Sequence, residues 1–148
     1  MQNKKPIDIR KIFEKVLGEQ MDDFVLPSPS FAVMKCEIIA FDANNKSMTV
    51  KIPVLAEWLN PYGVMQGGMV DAAIDNASGP LSMLVAPVSM TRTMETKFLT
   101  AISIDVAYIY VTAIVIEEKK KRLTFAVKVE DVDGKVYATS KVVNFIIG

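Results

Sequence analysis

Gln66-Gly67-Gly68-Met69-Val70-Asp71-Ala72-Ala73-Ile74-Asp75-Asn76-Ala77-Ser78-Gly79-Pro80-Leu81-Ser82-Met83-Leu84-Val85 is the stretch on which the fold turns. Nearly all of it is apolar, and it predicts a helix over about Gly67–Val85, on the order of 28 Å long at 1.5 Å per residue. Paired glycines each cost roughly 1 kcal/mol inside a helix relative to alanine, so at a helix start they read as space cleared for something to approach the backbone. The first four N–H groups there have no intrahelical partners. With the positive end of the helix dipole they suit a carbonyl oxygen that becomes negative during a reaction. Asp75 stands among Val70, Ala72, Ala73, Ile74, Ala77 and Leu81, where an unpaired carboxylate would cost several kcal/mol to bury. Such an acid needs a partner or a task. Asp71, one turn earlier, reads as a polar first-turn residue that complements the dipole. Pro80 removes an N–H and crowds the carbonyl of Asn76, which predicts a kink or an early end near Gly79-Pro80.

Before this helix, Ile9, Ile12, Phe13, Val16 and Leu17 fall at helical spacing within Ile7–Leu17, with Gly18 as the stop. Pro27-Ser28-Pro29-Ser30 reads as a linker. Phe31–Phe41 and Ser47–Val54 read as strands around the turn-rich Asp42-Ala43-Asn44-Asn45-Lys46, a hairpin. After Pro87 the chain reads as strands throughout: Thr91–Leu99, Asp105–Glu118, Leu123–Val132 and Lys135–Ile147. Val106, Tyr108, Tyr110 and Phe125, Val127, Val129 alternate as one-face-buried strands do, and Asp133-Gly134 is a hairpin turn. One long apolar helix and many strands make a two-layer α+β domain in which an antiparallel sheet of five or six strands curls around the helix.

The 148 residues fit one domain, and 51% hydrophobic against 23% charged residues supports a sizeable core. Residues 1–30 are expected to form a helix and linker ahead of a core over 31–148. Lys+Arg and Asp+Glu both total 17, so no net positive field favours nucleic acid or an anionic membrane. Apolar runs are broken by charge or proline before about 20 residues, and no basic region followed by an apolar run marks a signal peptide. A soluble, cytoplasmic protein is expected. There is no histidine, which excludes Ser-His-Asp and Cys-His catalysis, imidazole metal ligation and a histidine base. Cys36, the one cysteine, forms no internal disulfide or zinc cluster and reads as an inert buried thiol. No metal or cofactor is expected. Carboxylates, amides, hydroxyls and backbone N–H groups are left to do any chemistry.

Asn60-Pro61-x-Gly63-x-x-Gln66-Gly67-Gly68, with Asp75 nine residues after Gln66, resembles the active-site segment of hotdog-fold thioesterases of the phenylacetate-degradation type. The resemblance covers roughly Phe31 to Ile147 and implies a hotdog fold, hydrolysis of acyl-coenzyme A and assembly as a homodimer or a dimer of dimers. By that resemblance Asp75 is the general base or nucleophile. The N–H groups of Gly67 and Gly68 form the oxyanion site, Asn60 helps to place the water, and Thr93 is the hydroxyl on the next strand. Asp75 and Thr93 would come from one subunit and Asn60, Gln66 and Gly67 from the other. Gln66 departs from the pattern, since the family usually has histidine there. Glutamine donates through its amide but carries no charge and shuttles no proton.

Further candidates for substrate contact are Gly68, Asn76 and Met65, with Arg92 and Lys97 toward the coenzyme's phosphates. Lys119-Lys120-Lys121-Arg122, at a hairpin tip, reads as a solvated charge run. Methionines near the site, Met65, Met69, Met83, Met90 and Met94, either line a pliable acyl tunnel or fill the core. The second functional reading is a hotdog protein that holds acyl-coenzyme A without turning it over, for which Gln66 is the evidence. Hydratases of this fold generally use a histidine, so that branch is disfavoured.

Overall fold

The computed structural model describes residues 4–147. Helix α1 spans Ile9–Leu17, α2 Pro29–Val33 and α3 Gly67–Val85; the strands are β1 Glu37–Asp42, β2 Ser47–Pro53, β3 Ser89–Phe98, β4 Tyr108–Lys119, β5 Arg122–Glu130 and β6 Val136–Ile146. All six strands form one sheet in the order β1-β2-β4-β5-β6-β3, every neighbouring pair antiparallel. Helix α3 touches β2, β4, β5 and β3. Four inter-strand steps separate β2 from β3, about 19 Å in a flat sheet, whereas a helix is about 10–12 Å across. One helix meets both only if the sheet curls around it.

Burial explains why α3 holds. Ala73, Ile74, Ala77 and Leu81 are fully buried and Leu84 nearly so, packed with Val50, Ile52, Val111, Phe125 and Val127 of the sheet. Of the kink or early end expected near Gly79-Pro80, the early end does not occur: the helix runs to Val85, the bound read from the apolar run. The proline costs about 3 kcal/mol. Burying Leu81 and Leu84 beyond it returns about 1.5–3 kcal/mol each, which is enough to offset that cost. Ser82 Oγ also donates to the carbonyl of Gly79 at 2.7 Å, drawing the turn around the proline together.

The first helix starts at Asp8, whose side chain accepts the Arg10 N–H, and ends at Gly18 with φ +55°, a left-handed value that glycine adopts without strain. The Pro27–Ser30 linker is part structure: Ser28 caps α2 and Pro29 opens it. Phe31–Val33 therefore belong to a helix and the strand begins only at Glu37, because the cap and the N1 proline set helical geometry before the apolar run starts. Val106 likewise lies in a 3-10 turn over Ile104–Val106 rather than in a strand. The alternation read at Val106, Tyr108 and Tyr110 fails, since Ile109, Tyr110 and Val111 are all buried and Tyr108 is exposed. Phe125, Val127 and Val129 do face the core. Gly134, φ +87°, turns β5 into β6 around Asp131, whose carboxylate accepts the N–H groups of Asp133 and Lys135. Among the described residues no helix is long and apolar enough to cross a membrane.

Candidate active site

Helix α3 and edge strand β3 run side by side in opposite directions: Thr96 donates to Asp71 and Thr91 donates to Asp75, at 2.5 and 2.8 Å. These two threonines are five apart, so in an uninterrupted strand they would face opposite sides of the sheet. A bulge between Thr91 and Thr93 in the pairing of β3 with β6 restores the match. It turns Thr91 toward the helix and leaves Thr93, which pairs with Val143, on the far face. The hydroxyl that meets Asp75 is thus Thr91, which the spacing of the sequence did not single out. A bulge has no marker in Thr91-Arg92-Thr93, and only the pairing reveals it.

Asp75 itself is not buried among the apolar side chains that surround it in the sequence. Positions 70, 73, 74, 77 and 81 turn to the core, while Asp75 is exposed on the flank of α3 beside β3. Its Oδ1 accepts from Thr91 and Oδ2 has no partner among the described residues. Asp71 is half-buried, and its partner Thr96 is bonded in turn to Ser140 at 2.9 Å. That places Asp71 in a β3–β6 tether rather than at the dipole of the first turn.

At the other end of α3, Gln66 is the N-cap; its side chain is exposed and makes no capping bond. Its N–H donates to the carbonyl of Trp58, and its carbonyl receives the N–H groups of Met69 and Val70. Gly67 and Gly68 N–H have no acceptor among the described residues. A Cβ on Gly67 would meet the Phe98 ring at 3.4 Å, and one on Gly68 would meet nothing within 4 Å. Asn60 shapes the turn before the helix: its Oδ1 accepts from Tyr62 N–H at 2.9 Å and Val64 N–H at 3.3 Å, an Asx turn. Met65 is buried and lines a pocket of about 230 Å³ with Gly67, Val70 and Phe98.

A second pocket, of about 420 Å³, lies beside Asp75 and is lined also by Asn76, Met83, Thr91 and residues of α1 and α2. Asn76 is buried, with its Oδ1 accepting from Ser30 Oγ at 3.1 Å and its Nδ2 directed at Met34 Sδ. Within one chain the two halves of the expected site therefore stay apart. Gly67 and Asp75 are eight residues apart on α3, about 12 Å along the axis at 1.5 Å per residue, and they line different pockets. Arg92 and Lys97 are exposed on β3; the Arg92 guanidinium lies over the Phe145 ring at 4.2 Å, on the far face of the sheet. Lys119 and Arg122 are both paired to Glu117 at the β4–β5 hairpin. Burial pushes the Cys36 thiol up to about 12, which fits an inert thiol. Among the described residues no three His, Cys, Asp or Glu side chains gather to hold a metal ion.

Solved structures share this architecture. A phenylacetic acid degradation-related protein of Ralstonia eutropha JMP134 superposes with a TM-score of 0.77 at 20% identity, over 91% of this chain and 98% of its own. The PaaI protein of the Escherichia coli phenylacetic acid degradation operon gives 0.71 at 18% identity, over 78% and 86%. The chain has the hotdog fold. A hypothetical thioesterase of Streptococcus pneumoniae TIGR4, solved with coenzyme A, shares it at a TM-score of 0.70 and 18% identity, over 76% of this chain and 86% of that one. No protein-family model matches the sequence, and no curated protein matches it significantly. The hotdog layout is thus kept at 18–20% identity, and the fold neighbours include proteins of the phenylacetic acid degradation type that the sequence resembles.

Proposed function

We propose that this chain hydrolyses acyl-coenzyme A thioesters as a homodimer, with Asp75 as general base or nucleophile. The observation that carries the proposal is the Asp75 carboxylate, held by Thr91 on the flank of an apolar helix and facing a pocket large enough for an acyl group. In the base form of the mechanism, Asp75 takes a proton from water as the oxygen attacks the thioester carbon. The developing oxyanion is held by Gly67 N–H, with Gly68 beside it, and Asn60 helps to place the water. The C–S bond then breaks, and the coenzyme thiolate leaves and is protonated.

The two-chain site has physical support. Gly67 and Asp75 lie too far apart in one chain to act on one carbonyl, so each would be met by its counterpart from a second copy. Strand β3, ten residues long, is one of the sheet's two edges, and among the described residues it pairs with β6 alone; an edge of that length is a ready template for a second copy. Joined there, the Gly67 end of one α3 can approach Asp75 of the other. Arg92 and Lys97, on the same strand, would border the groove between protomers and meet the coenzyme's phosphates. Met65, Gly68 and Asn76 would contact the rest of the ligand. The coenzyme A held by the Streptococcus pneumoniae neighbour favours this substrate class.

Gln66 favours a second reading, in which the ligand is bound without turnover. Free-thiol release from a panel of short, medium, long and aromatic acyl-coenzyme A substrates separates the two. Turnover supports hydrolysis, and tight binding with no thiol released across the panel favours the ligand-binding reading.

A further inference from the structure

The pocket beside Asp75 has a wall from each of two helices. Ile9, Phe13 and Leu17, four residues apart and so on one side of α1, form the first. Helix α3 forms the second with Asp75, Asn76, Gly79, Pro80, Ser82 and Met83. At 3.6 residues per turn these six span an arc of about 160° around the helix axis, and Gly79 stands near its middle. Gly79 also lies about 6 Å along the axis from Asp75, one turn further on and on the same side of the helix. At about 420 Å³ the space falls in the usual range for small-molecule sites, and at roughly 30 Å³ per water-sized group it takes about 14 non-hydrogen atoms.

Glycine is among the poorest residues in a helix interior, so its presence at 79 works against the helix that carries it. Backbone conformation is not the reason, since its φ is not positive. Nor is a close neighbour: outside its adjoining residues and its own helix backbone, a Cβ on Gly79 would meet nothing within 4 Å. Pro80 supplies part of a reason, because a proline ring crowds the Cβ of the residue before it. That crowding ends at Cβ, whereas the atoms of a longer side chain would extend from the middle of the wall into the pocket. The residue at 79 therefore sets how much of the space is free. A leucine there, with its four side-chain carbons, would leave room for about ten non-hydrogen atoms.

We infer that this pocket receives the acyl group and that Gly79 is its specificity-determining position, the missing side chain admitting apolar acyl groups of up to about 14 non-hydrogen atoms. The inference rests on the proposed thioesterase reading for the identity of the ligand. Gly79 takes no part in bond making. With the thioester carbonyl at Asp75, the acyl chain passes over Gly79 and fills the space between Met83 and the α1 wall. Each further methylene buried there adds affinity until the space is full. A dodecanoyl group stays within the limit and a hexadecanoyl group exceeds it.

The test follows thiol release from acetyl-, octanoyl-, dodecanoyl- and hexadecanoyl-coenzyme A, and calorimetric binding of the matching non-hydrolysable thioethers, on wild type, Gly79→Ala and Gly79→Leu, with sedimentation to read assembly. Both variants carry the Cβ that Pro80 crowds, so the difference between them reads the pocket alone. Expected are a kcat/KM and an affinity that rise in wild type from acetyl to dodecanoyl and fall at hexadecanoyl. The dodecanoyl-to-octanoyl ratio of each should be at least tenfold lower in Gly79→Leu than in Gly79→Ala. Equal ratios in the two variants overturn the inference while leaving hydrolysis intact, as does a wild type that favours acetyl or hexadecanoyl over dodecanoyl. Altered assembly in Gly79→Leu with the ratio of Gly79→Ala assigns the glycine to contact between copies and overturns it as well. Thioether ratios that shift as expected, with no thiol released from any thioester, overturn hydrolysis and uphold the pocket assignment. Gly79→Met, equal to leucine in side-chain heavy atoms and unbranched, takes the place of Gly79→Leu where that variant fails to fold and is read in the same way.

Discussion

Gly68→Ala separates the two roles a glycine at a helix start can have. Its backbone is helical, with no positive φ, and an added Cβ meets nothing within 4 Å. The substitution therefore removes unfolded-state freedom at no steric cost within the chain, and stability should rise by about 0.5–1 kcal/mol. For a domain near this size that is a gain of about 1–4 °C in Tm. The same methyl occupies the space through which a thioester carbonyl would approach the Gly67 and Gly68 N–H groups. With the N–H retained, the loss is steric, and kcat/KM should fall at least about tenfold, equivalent to about 1.4 kcal/mol. Thermal unfolding by circular dichroism and thiol release on the same preparations read both quantities. A variant that is more stable and fully active would refute the idea that the open face of Gly68 is the path of the substrate. A variant destabilised by more than about 1 kcal/mol would refute the local geometry instead.

Three other outcomes follow from the same structure. Thr91→Val, which takes the hydroxyl from Asp75, should lower kcat by about tenfold with a stability change of at most about 1 kcal/mol, and by more than Thr93→Val does; steady-state kinetics with thermal melts on both variants check this. Cys36, with its thiol pushed from 9.0 to about 12 by burial, should react with a disulfide reagent at pH 8 about a thousandfold more slowly than a free thiol of the same ordinary value, and at the free rate in denaturant. Hydrogen bonds from Asn45 and Asn44 hold the Asp42 carboxyl below its ordinary value near 3.8. At Asp131 burial acts upward but is outweighed by bonds from Lys135, Tyr137 and Asp133, again lowering the carboxyl. Both groups bind protons more readily unfolded than folded, so their stabilisation is full above the unfolded value and is lost as pH falls through the folded one. Melting curves from pH 6 to 2 should show a shallower acid limb for Asp42→Asn with Asp131→Asn than for wild type.

Much of this molecule was legible in its sequence because apolar burial, which drives its folding more than any other effect, writes a period into the chain. The helix over Gly67–Val85, the two hairpin turns at Asp42–Lys46 and Asp133-Gly134, and four strands after Pro87 all came from spacing and turn chemistry. The misreadings sit where long-range packing overrode a local signal. Pro80 failed to end α3 because two leucines beyond it are buried, and Phe31–Val33 turned helical because Ser28 caps and Pro29 starts a helix that an apolar run alone does not announce. In the site, the glycines, Asn60 and Asp75 were visible as residue types at fixed separations. Thr91 was not, because its orientation depends on a bulge set by pairing with β6.

The central claim is that Asp75 performs the chemistry, and the most direct measurement is kcat for wild type and Asp75→Asn on the best acyl-coenzyme A substrate, with circular dichroism and sedimentation to verify an unchanged fold and assembly. The account predicts a loss of at least about 100-fold in turnover, in line with typical general-base contributions. A folded Asp75→Asn protein that retains full turnover would contradict it.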